Sequence, residues 1–157
     1  MVTGQVTEQE YVAAHALHRR RLQTLIKRIS LGAIILGAVA LFTFPTKTGF
    51  LLVCAALGGL LGEFIQSRFI LPARLRRLYA QVRGRVDITL DWNEEKLFLT
   101  SEYGHAARPW TDFVKAKESK DLILLYINGA LFEIIAKRWF SDDADLRSFR
   151  SHLHFVE

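Results

Sequence analysis

A single cysteine, one methionine and three prolines stand in 157 residues, and the stretch from Ile29 to Gly62 holds one charge, Lys47. Each scarcity excludes something. One cysteine, Cys54, leaves no intramolecular disulfide and no cysteine-based metal motif. No Gly-rich phosphate loop, nucleophile elbow, zinc spacing or persuasive carboxylate pair is found, so no enzymatic activity and no cofactor are expected. With 24% of the chain charged, the Ile29 to Gly62 window at that density would hold about eight charges. That depletion points to a segment kept from water.

As one straight helix this block would run roughly 51 Å, beyond a hydrocarbon core of about 30 Å, with Lys47 inside it at about 2.5 to 3.5 kcal/mol. Two passes remove both problems. Pro45 and Gly49 supply the turn and Lys47 a solvated tip, which gives spans over about 27–45 and 48–67. A soluble helical pair would show a polar stripe, and "LGAIILGAVALF" and "FLLVCAALGGLLG" show none.

Charge is divided unevenly. Residues 1–85 carry 12 Lys+Arg against 3 acids, whereas residues 86–157 carry 9 against 13. Arg19, Arg20, Arg21, Lys27 and Arg28 precede the first span, and Arg68, Arg74, Arg76, Arg77, Arg83 and Arg85 follow the second, with no acid between Glu63 and Asp87. Positive flanks stay in the cytoplasm, so both termini are expected there. The basic excess suits an anionic membrane surface rather than nucleic acid. Arg74, Arg76, Arg77 and Arg83 are the candidate lipid-binding residues, or else they only set topology.

Ala33 and Gly37 in the first span and Gly58 and Gly62 in the second have the small-residue spacing that lets helices approach, within the hairpin or across a homo-oligomer. Glu63 is expected to pair with Arg28 at the interface, or else to serve an ion or proton pathway. "TEQE" places Thr7 and Glu10 at capping-box spacing, opening a helix at about Glu8. His15 and His18 share a face of it and read as solvated residues rather than metal ligands. "PARLRRLYAQVR" reads as a basic amphipathic helix opened by Pro72.

Beyond Arg85 the period becomes two. Val86 to Asp91, Leu97 to Thr100, a weaker segment centred on Val114, "LILLYI" and "ALFEII" read as antiparallel strands, the last two joined by a tight turn at Asn128 and Gly129. "SDDADLRSFRSHL" returns to helical spacing with Ser141 as cap. Five or six strands and a C-terminal helix are expected, in a sheet that curls or packs elsewhere because one short helix cannot cover both faces. The predicted organisation is α+β: an N-terminal helix over 1–28, a hairpin over 29–67, a basic juxtamembrane helix over 68–85 and a domain over 86–157.

The run "RPWTDFVKAKESKDLILLYINGALFEIIAKRWFS" resembles the C-terminal signature of YcxB-like membrane proteins, and the arrangement with "EYVAAHALHRRR" and two spans is similar to theirs over most of the chain. The resemblance implies a multi-pass protein of the bacterial inner membrane with a small pleckstrin-homology-like barrel in the cytoplasm. Its distinctive positions fall on Trp110, Asp112, Phe113, Lys137, Arg138 and Phe140. Trp110, Phe113 and Phe140 either anchor the core or line a partner-binding groove. Lys137 and Arg138 either receive a phosphate or a partner's carboxylate or are satisfied by Asp112 or Glu118. The expected function is a membrane-anchored interaction module that binds a protein partner or anionic lipid; the alternative is a subunit of a small oligomeric channel or transporter.

Overall fold

The computed structural model describes residues 1–43, 47–82 and 86–155. The expected turn at Pro45 and the lipid-facing role of Arg83 lie outside the described residues. The chain divides into two compact units, one of residues 1–17 and 78–157, the other of residues 18–77.

The 18–77 unit holds most of α1 (Glu8–Thr43), α2 (Lys47–Ile65) and the start of α3 (Leu71–Val82). Both apolar runs are helices long and apolar enough to cross a membrane. The described part of α1 ends at Thr43 and α2 begins at Lys47. Gly37 faces α2: a Cβ there would lie 2.7 Å from Val53 Cγ2 and 3.3 Å from the Gly49 carbonyl. Ala56 and Ser30 are buried on the same unit. Gly58 and Gly62 have open space where a Cβ would point, so the two small-residue pairs do not interlock. The expected Arg28–Glu63 ion pair is absent among the described residues.

Pro72 does not open α3. It sits one residue inside, after a π-helical turn over Gln66–Ile70 in which the Leu71 N–H reaches back to the Gln66 carbonyl. A proline inside a helix lacks an N–H and crowds the carbonyl four residues back, and a wide turn just before it relieves that conflict. Leu75 is buried while Arg74, Arg76 and Arg77 are exposed, which preserves the amphipathic pattern.

Among its described residues the second unit carries seven strands. β1 (Val2–Gly4), β2 (Ile88–Trp92), β3 (Lys96–Ser101) and β4 (Gly104–Pro109) form one antiparallel sheet in that order; β5 (Lys115–Glu118), β6 (Leu122–Tyr126) and β7 (Phe132–Ala136) form another. The sheets do not join into a closed barrel. Two strands exceed the sequence reading. β1 pairs with β2 through Val2 opposite Leu90, so the N-terminal segment belongs to the β-rich unit, which therefore does not begin at Val86. β4 follows a two-residue turn closed by Gly104 at φ +140°, a backbone angle suited to glycine.

Val114 is exposed and outside any strand; the chain makes a 3-10 turn over Trp110–Asp112 before β5. The Asn128–Gly129 turn is a longer loop, because the Asn128 side-chain carbonyl accepts from the Ala130 and Leu131 N–H groups. In α4 (Asp143–Ser151) the cap is Asp142, whose carboxylate accepts from the Ala144 N–H at 2.6 Å, in place of Ser141.

Every residue of β6 is buried. One face, with Ile123, Leu125 and Ile135 by register, shares a core with Leu90 and Leu97 of the first sheet. The other face carries Tyr126 and Phe132, and the start of α1 covers it: the His15 ring packs against Phe132 at 5.3 Å and Tyr11 at 4.7 Å, with Ala14 fully buried. His15 is thus a packing residue and not a solvated one. The second layer that one C-terminal helix cannot supply comes from residues 8–17.

Candidate functional site

The signature residues separate into an aromatic group and a charged group. Phe149, fully buried on α4, contacts Trp92 at 5.4 Å, Trp110 at 5.7 Å and Phe140 at 5.4 Å. Trp110 also touches Phe113 at 6.1 Å, stacks on His152 at 4.9 Å and donates its indole N–H to the Asn93 carbonyl. Phe113 and Phe140 are buried. These contacts place Trp110, Phe113 and Phe140 around the helix that closes the unit, with their ring faces used by neighbours. Asp112 is exposed and takes no part.

Lys137 and Arg138 occupy a 3-10 turn after β7. Lys137 Nζ lies 2.5 Å from Glu118, whose second oxygen takes Arg150 at 3.0 Å. Arg138 donates to both carboxylate oxygens of Glu10, from Nε at 2.7 Å and Nη2 at 3.0 Å, and Nη2 also reaches the Gln5 carbonyl. Glu10 closes the capping box as well, accepting from the Thr7 N–H at 2.7 Å while Thr7 Oγ1 accepts from the Glu10 N–H. Burial raises the Glu10 carboxyl, but hydrogen bonds from Arg138 and Thr7 outweigh it and hold the group below its usual 4.5. The bond to Glu10 raises Arg138, against a smaller effect of burial. Both cations thus meet internal carboxylates, one of them the Glu118 weighed in the sequence.

Sequence reasoning missed the space between the sheets. A cavity of about 390 Å³ has Val6, Ile88, Leu99 and Ala106 as apolar walls and Glu133 and His105 among its polar groups. The Thr100 hydroxyl lies 3.2 Å from His105 Nδ1. Glu133 shares its sheet face with Leu125 and Ile135 by register, a carboxylate set among core residues. The signal was a single acid in the apolar strand "ALFEII". Among the described residues no group of three or more His, Cys, Asp or Glu is gathered as for a metal ion.

The candidate lipid-binding arginines Arg74, Arg76 and Arg77 are exposed on α3, and Arg20, Arg21, Lys27, Arg28 and Arg68 are exposed in the same unit. The other end of the two helices offers Lys47.

No curated protein and no solved structure matches the chain. The family model described as YcxB-like protein matches residues 92–153, a span from the last residue of β2 past the end of α4, so this stretch of the chain is similar to that family's domain.

Proposed function

We propose that the chain is a membrane-anchored binding module without catalytic activity of its own, held in the bacterial inner membrane by α1 and α2 with both termini in the cytoplasm. The pairing of β1 with β2 carries this reading. Residues 1–17 and 78–157 form one folded unit, and one folded unit lies on one side of a bilayer. The segment between them therefore crosses an even number of times, which two apolar helices satisfy. Exposed side chains on those helices support the crossing: Leu36 is 69% exposed, Leu51 64% and Leu61 61%. Each forfeits about 1.5 to 3 kcal/mol in water and none in lipid.

The cations beside the spans favour the cytoplasm for the folded unit. Four- and three-stranded sheets followed by a C-terminal helix are the layout expected of a pleckstrin-homology-like domain, the kind that recruits a protein partner or reads a headgroup. Exposed Arg74, Arg76 and Arg77 suit anionic phosphates at about 1 kcal/mol per charge near the surface.

The test is retention of lipid by the full chain released from mixed-lipid nanodiscs into a mass spectrometer. Anionic lipids should be enriched over zwitterionic ones, and the triple change of Arg74, Arg76 and Arg77 to Gln should remove the enrichment. Equal retention of both lipid classes by the unaltered chain would end the headgroup reading. Extraction of the chain from membranes by alkaline carbonate would end the anchored reading.

A further inference from the structure

The cavity between the sheets has a mismatch in its wall. Strand alternation puts Glu133 on the face that carries Ile123, Leu125 and Ile135, and those three are fully buried. Glu133 itself is only partly buried, and a carboxylate at the edge of such a face is the natural counter-charge for a cation that enters beside it. Other charged groups nearby are paired, Glu10 with Arg138 and Glu118 with Lys137 and Arg150, whereas Arg108 on β4 keeps a buried Nε without a hydrogen-bond partner. Glu133 has no hydrogen bond or ion pair among the described residues, and it lines a space of about 390 Å³. That volume lies in the range of pockets that take small molecules. Beside it stands an apolar wall of Val6, Ile88, Leu99 and Ala106.

We propose that this cavity is a binding site for a small amine: an apolar body of about six to ten carbons bearing an ammonium group that pairs with Glu133. The apolar wall takes the body, and Glu133 takes the charge. Residues 86–157 carry 9 basic and 13 acidic residues, so the surrounding field also favours a cation. A two-chain lipid is too large for the space. The site is distinct from the α3 arginines, whose charge selects anions, and it does not depend on the membrane reading.

The test uses the full chain in phosphatidylcholine nanodiscs, titrated calorimetrically with hexylammonium, hexanol and hexanoate, with empty nanodiscs as the blank. Hexylammonium should bind saturably at one site, about tenfold or more tighter than hexanol, the margin of a charge-assisted hydrogen bond. Hexanoate should not bind. Glu133→Gln, nearly isosteric, should bring hexylammonium to the affinity of hexanol. Ala106→Phe, which fills the cavity from the edge strand, should remove both while the unfolding midpoint shows a folded protein. Non-saturable uptake by the unaltered chain, equal affinity for the three compounds, or unchanged hexylammonium affinity in Glu133→Gln would overturn the proposal.

Discussion

Arg138 clasps Glu10 with two hydrogen bonds, Nε to Oε1 at 2.7 Å and Nη2 to Oε2 at 3.0 Å, joining the turn after β7 to the first turn of α1. Glu10 is the more enclosed partner, with its side chain 15% exposed against 52% for Arg138. Removing the cation leaves a half-buried carboxylate with only its capping bond. Arg138→Ala should therefore lower the stability of the β-rich unit by about 1 to 2 kcal/mol, a charge-assisted pair discounted for the exposed guanidinium. Arg138→Lys should recover less than half of that, because an ammonium cannot reproduce the fork. Denaturant unfolding of the three proteins checks both values.

The same pair sets a pH dependence. Because the Glu10 carboxyl is held below 4.5 in the folded chain, its contribution is present in full above that value and is lost as pH falls through the lower folded-state value. The stability gap between the unaltered chain and Glu10→Gln should be full at neutral pH and narrow as pH falls below 4.5. A gap of constant size across that range would show that the bonds to Arg138 and Thr7 do not shift the group.

Gly4 lies against the buried indole of Trp139, and a methyl group added there would overlap the ring. Gly4→Ala should push β1 from the sheet edge and cost about 1 to 3 kcal/mol. Gly129→Ala, with open space at the same test, should stay within about 0.5 kcal/mol. Thermal unfolding of the pair separates close packing from a general effect of replacing glycine.

Phe149 is the hub of the aromatic group around α4. Phe149→Ala should cost about 3 to 5 kcal/mol and release α4, read as loss of the protected tryptophan emission from Trp92 and Trp110. Arg147→Ala, exposed on the same helix, should leave both readouts unchanged.

The helices and most strands were legible because they rest on local pattern: the charge gap for α1 and α2, alternation for β2, β3, β6 and β7, and the capping box for the start of α1. The missed features depend on distant partners. β1 is three residues ending in glycine, and β4 reads "GHAARP", a composition with little intrinsic strand preference; both are strands because β2 and β3 offer free edges. The tight turn at Asn128 fails because the Asn128 side chain satisfies two backbone N–H groups and holds a wider loop. Arg138 and Glu10 are 128 positions apart, so their pairing has no trace in spacing. Nothing in the pattern of "ALFEII" marks the side that Glu133 takes, and its facing direction comes only from the register with β6.

The central claim is that the apolar helices cross the membrane twice and leave both ends of the chain on the cytoplasmic side. Labelling of single cysteines in intact and permeabilised cells tests it most directly, in a Cys54→Ser background with Gln9→Cys, Lys47→Cys or Lys120→Cys, each an exposed position. An impermeant thiol reagent should reach Lys47→Cys in intact cells, and Gln9→Cys and Lys120→Cys only after permeabilisation. Labelling of Gln9→Cys and Lys120→Cys from opposite sides, or protection of Lys47→Cys until permeabilisation, would contradict the account.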